Sequence, residues 1–424
     1  MLKDHVQGDA GFHGFSGDQL HDLAREAGLI VRRTRSFSAA GFLTAMLRAV
    51  CSGNASYNRI ASALGECEPR PLSRQAVHAR MGAPAVTFLD AVLGHLAGRH
   101  PAAAVPASDK LFPRVLIQDS TQLRMHRASH KVFAGLDNKS GPTAGVKIDW
   151  KLDASGGTVP APAYAAARVQ DKTAGAGLPG EVEAGDLVIR DMGYFAIGDF
   201  KAIAAKGAWW ISRLHGLVDV RLEDGTELGD FLGDGSPGKV DVPVFLGKER
   251  HPARLVAVRV PVEVAARRRA ARREKSIRQG HQPSRRAMRG DGWTIHVTNI
   301  SRKMMDADGV ASAYRLRWEI EIKFRAWKQS TGIGKALSHI SNEHHLRALV
   351  VTAMIYFTLT LKMANQLSGL HPGRELSFEK ICGWISDCIK GMVSLALPPP
   401  RDIRHLAAER RKRPRLSHLR DSLI

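Results

Sequence analysis

Residues 314–328 read YRLRWEIEIKFRAWK, and the organisation of the chain turns on this stretch. Successive side chains on an α-helix turn by about 100°, which puts Tyr314, Arg317, Glu321 and Lys328 within one sector of about 60°. Leu316, Ile320, Phe324 and Trp327 form a separate apolar stripe, about 100° away and suited to a core. The spacing predicts one helix that carries a carboxylate among a phenol, a guanidinium and an ammonium. Taken alone, the same face also suits a solvated helix with i,i+4 ion pairs, such as Glu321 with Arg317 or Arg325.

The surrounding chain has 424 residues and 44% hydrophobic residues, enough for two or three domains with real cores. Its formal net charge is +21 and its pI about 10.2. Such an excess calls for a polyanionic partner, with nucleic acid first and an anionic membrane surface second. No basic amphipathic lipid-binding helix stands out. Cys51, Cys67, Cys382 and Cys388 form no CxxC pair and have no His cluster at zinc spacing, so they read as reduced thiols. The N-terminus lacks an apolar signal-peptide core, and the most apolar run, Ala348 to Leu361, is short for a membrane span. A cytoplasmic protein gathered on the nucleoid, with a core helix at 348–361, is the expectation.

Along the chain, residues 1–100 read as helical. A helix from Ser56 with a stop at Gly65, a Pro-containing turn and a second helix N-capped by Ser73 predict a helix-turn-helix at 56–81. Arg74, Gln75, His78 and Arg80 project from its second helix as candidate DNA contacts. An ordinary helical hairpin fits the same pattern. A linker at 100–109 precedes a buried strand, Phe112 to Gln118, which ends at Asp119. Val146–Leu152 and Val159–Val169 predict a β-hairpin about Gly156-Gly157. A second buried strand ends at Asp191, followed by a helix at 194–206 and a strand at 208–213. Residues 214–300 add β-strands and turns, with a basic arm at 267–289 that carries ten Lys or Arg against the single acid Glu274. Such density of like charge predicts phosphate neutralisation rather than an idle solvated arm. The rest reads as helical, with a basic RRKRPR tail. Trp209, Trp210, Trp318 and Trp327 read as core residues.

Tyr-x2-Arg-x3-Glu-x6-Lys, inside the context RWxIE…F..WK, resembles the signature of the insertion sequence four family of DDE transposases. QDST around Asp119 and RDMGYF around Asp191 look like that family's first two motifs. Met192 departs from the polar residue many relatives have after the second aspartate. The resemblance implies an α/β fold: a ribonuclease H-like catalytic core at 110–213 and 301–340 with an inserted β-rich subdomain at 214–300. Helical regions at 1–100 and 341–424 flank it. It implies that Asp119, Asp191 and Glu321 bind two Mg²⁺ ions, for which Mn²⁺ can substitute. Tyr314, Arg317 and Lys328, with Arg325 beside them, would hold transposon-end phosphates. Trp293 would stack on a flipped base, although filling a seam between insert and core suits a Trp equally well. The implied reaction is cut-and-paste transposition at terminal inverted repeats, by a homodimer on paired ends joining them to target DNA.

The chemistry agrees. Phosphoryl transfer needs an activated nucleophile, a stabilised leaving group and relief of phosphate repulsion, which two divalent ions roughly 3.5–4 Å apart supply. Hard ions take carboxylate oxygens. The competing expectations are a catalytically inactive DNA-binding protein or repressor derived from such an enzyme, and another ribonuclease H-like nuclease.

Overall fold

The computed structural model describes residues 15–31, 38–68, 71–99, 111–137, 141–155, 158–216, 218–233, 236–283, 285–371, 374–392 and 403–407. The expected linker at 100–109, the Gly156-Gly157 turn and the RRKRPR tail lie outside them. In chain order the principal elements begin with helices α1 (Gly17–Glu26), α2 (Ala39–Ser52), α3 (Tyr57–Cys67), α4 (Arg74–Arg80) and α5 (Ala83–Leu96). Strands β1 (Val115–Arg124), β2 (Gly145–Asp153), β3 (Ala163–Ala166) and β4 (Leu187–Arg190) follow, then helix α6 (Ile197–Ala205) and strand β5 (Trp209–Arg213). Next come β6 (Val220–Arg221), β7 (Lys239–Leu246), β8 (His251–Arg259), helix α7 (Val262–Arg278) and β9 (Trp293–Thr298). The chain continues through α8 (Ala307–Arg315), α9 (Arg317–Ser330), α10 (Ile333–Ser338), α11 (Glu343–Leu370) and α12 (Phe378–Lys390).

The chain divides into two compact units. The first comprises 1–106, 120–169 and 321–413. Its centre is α11, which packs against α5, α2 and α12. Its apolar residues recur on every side, so a helix of this composition must be enclosed. Leu349, Val350, Val351, Ile355 and Leu359 are fully buried. Thr352, Thr358 and Thr360 return their hydroxyl protons to the carbonyls of Ala348, Met354 and Tyr356, which satisfies them inside the helix. The helix is long and apolar enough to cross a membrane, yet 89% of its most apolar window is buried within the protein. That is the core helix expected at 348–361. Trp150 meets Phe357 edge-on at 4.5 Å, and Trp327 lies 5.4 Å from the same ring.

Within this unit β2 pairs antiparallel with β3, from Val146↔Ala166 to Asp149↔Ala163, as the hairpin expectation required. The alternation along β2 does not mark a wet face, because Lys147, Asp149, Lys151 and Asp153 are all buried. Helix α3 runs two residues past Gly65, so that glycine is not the stop. A close approach pins the end of α2 to the start of α10. Gly53 caps α2 at φ 67°, and a Cβ on Gly332 would fall 2.2 Å from Gly53 Cα.

The described residues of the second unit are 111–119 and those of 170–320. Its strands run in the order β1-β4-β5-β9-β8-β7-β6. β1, β4 and β5 are parallel, and the pairings from β5 to β6 are antiparallel. The strands of 220–298 therefore continue the order through the β5–β9 pairing instead of standing apart. Helix α6 makes the crossover between β4 and β5, as parallel neighbours require. Phe200 of α6 stacks on Trp210 at 4.0 Å, in a core with Val188, Leu255, Trp293 and Val297. Most of the basic arm lies on α7, which is docked along its inner face, and Arg285–Gly290 forms a second, short helix. Arg268 donates to Trp293 O, Arg269 to Met288 O, and Arg272 makes two 2.7 Å bonds to Asp291. Arg267, Arg273, Lys275 and Arg278 remain exposed.

Candidate active site

The register of β1 against β4 sets the site. Gln118 pairs with Arg190 at the end of the parallel ladder, so Asp119 and Asp191 follow side by side on neighbouring strands. Side chains alternate along strands, so both carboxylates leave the face opposite Gln118 and Arg190. Those two residues are buried and lock the end of the parallel pairing. Arg190 donates to Gln118 Oε1 at 2.7 Å, to Asp199 Oδ2 at 2.5 Å and to Gly175 O at 2.9 Å. Sequence reasoning passed over this clamp. Its signal was the polar residue directly before each aspartate, which a buried strand does not need.

One expectation is corrected here. β1 runs on to Arg124, so Asp119 lies inside the strand and not at its end. Only the pairing with β4 stops at Gln118.

The expected single helix at 314–328 is two helices that meet at Leu316, which caps α8. Arg254 fixes the approach to α8. It makes two 2.8 Å bonds to Asp241 and donates to Ile300 O and Met305 O. Asp306 then caps α8 through Gly309 N at 2.7 Å. Tyr314, in the last turn of α8, donates its Oη proton to Asp191 Oδ1 at 2.9 Å. The His296 ring lies 4.5 Å from the Tyr314 ring, and neither His296 nitrogen has a hydrogen-bond partner among the described residues. Burial holds the imidazole neutral, at about 4. Burial, followed by the neighbouring Asp191 charge, raises the Tyr314 phenol above its ordinary range, so it acts as an O–H donor.

Arg317 opens α9. Its Nη1 donates to Asp119 Oδ2 at 2.8 Å, and its Nε lies 4.0 Å from Asp191 Oδ1. The Arg317 and Asp119 side chains are only 11% and 15% exposed. A guanidinium thus sits against both aspartates and offsets the repulsion of two adjacent carboxylates. Side-by-side carboxylates that already share one cation are a donor set suited to a hard divalent ion. Among the described residues, no group of three or more His, Cys, Asp or Glu is disposed to hold a metal.

Glu321 is half-buried, one turn after Arg317 on α9. Leu316, Ile320, Phe324 and Trp327 are buried, as their stripe predicted. Trp318 is 50% exposed and is not a core residue. Lys328 is half-buried, donates to Gln122 O at 3.0 Å, and has its pKa lowered by burial. Arg325 is exposed.

Trp293 corrects a further expectation. It is 3% exposed, opens β9 opposite Arg259, and packs in the core of its unit, with the Arg259 guanidinium 4.6 Å over its ring. As it stands the ring offers no face to a flipped base. Arg74, Gln75 and His78 of α4 are exposed, whereas Arg80 folds back onto Ala76 O at 3.0 Å.

The family described as "Transposase DDE domain" matches residues 110–358, more than half of the chain. The transposase of insertion sequence element IS231C of Bacillus thuringiensis subsp. berliner is 27% identical over 400 residues, covering 87% of this chain and 82% of its own. The IS231D transposase of Bacillus thuringiensis subsp. finitimus is 26% identical over 406 residues, covering 89% and 84%. A cryo-EM structure of the piggyBac transposase synaptic complex with hairpin DNA aligns with 97% of this chain and 83% of its own, at 10% identity and a TM-score of 0.44. That likeness is too loose to define the fold. The extended match to the family, over the segment that carries Asp119, Asp191 and Glu321, establishes that the chain belongs to the DDE transposases.

Proposed function

We propose that this transposase cuts and rejoins DNA at the terminal inverted repeats of its own element, using Asp119, Asp191 and Glu321 in a ribonuclease H-like core. The carrying observation is the placement of Asp119 and Asp191 after a matched pair in a parallel ladder, with one cation shared between them. Glu321 is the third carboxylate by its place in the Tyr-Arg-Glu-Lys spacing. DDE transposases work with divalent ions, here Mg²⁺, with Mn²⁺ as a substitute and two ions per site. Such ions supply a nucleophile at neutral pH and neutralise charge on the phosphate.

The protein's own groups then have distinct tasks. The Arg190–Gln118 clamp keeps the two aspartates in register. The Tyr314 hydroxyl orients Asp191. Arg317, Lys328 and Arg325 supply positive charge for phosphates of the element's end. Arg267, Arg273, Lys275 and Arg278 on the outer side of α7 supply more along the flanking backbone. Arg74, Gln75 and His78 are the candidates for reading bases from α4. The enzyme acts in the cytoplasm, as a homodimer on paired ends. The test is to incubate purified protein with a fragment carrying the repeats that flank its coding region, with Mg²⁺ or with EDTA. Metal-dependent strand cleavage at the repeat tip is expected. Specific binding without cleavage in either Mg²⁺ or Mn²⁺ would instead support the inactive DNA-binding reading.

A further inference from the structure

We propose that Arg317 is the resident counter-ion of the Asp119–Asp191 pair, holding the place of a divalent cation until a DNA phosphate draws it away. Metal binding and DNA binding are then coupled through this one side chain. The inference rests on the reading above that the two aspartates are metal ligands.

Four observations carry it. Arg317 Nη1 occupies Asp119 Oδ2 at 2.8 Å, and its Nε lies 4.0 Å from Asp191 Oδ1, so one guanidinium serves both carboxylates. Both members of the closer pair are largely shielded from water, so bulk ions screen them little. A guanidinium does not deprotonate in a protein, so it cannot be neutralised in place when a second cation arrives. It has to move. Finally, Asp191 has a second anchor that carries no charge, the Tyr314 hydroxyl at 2.9 Å. Asp191 therefore keeps its aim when Arg317 leaves.

The displaced fork needs an anion of matching geometry, and a phosphate offers two oxygens to it. The order of events follows. Without DNA, Arg317 competes with the divalent cation for Asp119. With DNA, the phosphate takes Arg317 and the carboxylates open to the cation. Coupling of this kind is reciprocal, so Mn²⁺ should also tighten DNA binding.

The experiment measures Mn²⁺ affinity by the EPR signal of the free ion. Wild type, Arg317→Gln and Asp119→Asn are compared with and without a short duplex, and Asp119→Asn with the same duplex is the blank. Without DNA, Arg317→Gln should bind Mn²⁺ at least about fivefold more tightly than wild type. The duplex should raise wild-type affinity by a similar factor and leave Arg317→Gln nearly unchanged. Equal or weaker Mn²⁺ binding by Arg317→Gln overturns the proposal. If that variant does not fold, the wild-type comparison stands alone, and no gain in Mn²⁺ affinity with DNA overturns it too. Undiminished Mn²⁺ binding by Asp119→Asn is a different failure, because it removes Asp119 from the ligand set.

Discussion

Helix α11 in the first unit is buried and the aspartate cluster in the second is partly so, and the two are held by opposite means. Around α11 the packing is apolar, and its buried threonine hydroxyls are satisfied within the helix itself. At the cluster, a guanidinium, two carboxylates and a phenol hold one another across residues as far apart in sequence as Asp119 and Arg317. The first arrangement depends on volume and is indifferent to ions. The second depends on charge balance and has a stake in every cation or anion that arrives. The difference separates the part of this protein that only holds shape from the part that can respond.

The sharpest way to break that comparison is to damage each region equally and then add metal. Phe357→Ala should cost about 3–5 kcal/mol through loss of burial and a cavity. Arg317→Ala should cost about 3 kcal/mol, because it removes the cation from a largely shielded ion pair. Thermal denaturation should then separate them. Millimolar Mg²⁺ restores much of the loss in Arg317→Ala and none in Phe357→Ala. Equal responses to Mg²⁺ would erase the distinction.

A pH titration sharpens the picture within the first unit. His345 stacks on Tyr57 at 4.6 Å. Burial first, then the nearby His78, hold it at about 4, against the pull of the Ala55 carbonyl. Its folded value is below its unfolded one, so the unfolded chain takes up the proton first as pH falls. The associated stability is fully present above about pH 6.5 and is lost towards pH 4, a change on the order of 3 kcal/mol. In urea denaturation, His345→Gln should flatten that slope. An unchanged slope would show that His345 does not carry it.

The Gly53–Gly332 approach is a smaller test of the volume-dependent region. Gly332→Ala should cost about 1–3 kcal/mol by overpacking, read as a lower urea midpoint with no change in metal response. Smallest in stability is the outer side of α7. Arg273→Ala with Arg278→Ala should stay within about 0.5 kcal/mol of wild type, yet lower the salt dependence of DNA affinity by about one ion per residue removed. An unchanged salt slope would take α7 out of the DNA interface.

The same contrast governs how much was legible in the sequence. Apolar periodicity is a local property, so the core helix at 348–361, the buried strands before Asp119 and Asp191, and the stripe from Leu316 to Trp327 could be read directly. Ser73 announced its N-cap role in the same way. What failed depended on distant partners. The break at Leu316, the burial of Trp293 and the charged residues buried along β2 follow from what packs against them. The Arg317–Asp119 pair spans 198 residues, and no periodicity encodes it. The resemblance to the transposase signature singled out Arg317 for a phosphate. Only the register of β1 with β4, and the turn from α8 into α9, show that carboxylates hold it in the absence of DNA.

The central claim is that Asp119, Asp191 and Glu321 perform the strand chemistry. The most direct measurement compares wild type with Asp119→Asn, Asp191→Asn and Glu321→Gln on a terminal-repeat duplex, scoring cleavage in Mg²⁺ and duplex affinity in the same samples. Each carboxamide variant should lose cleavage by a thousandfold or more, on the order expected for groups that act as a unit, while still binding the duplex. Cleavage that survives any one of the three changes would contradict the account.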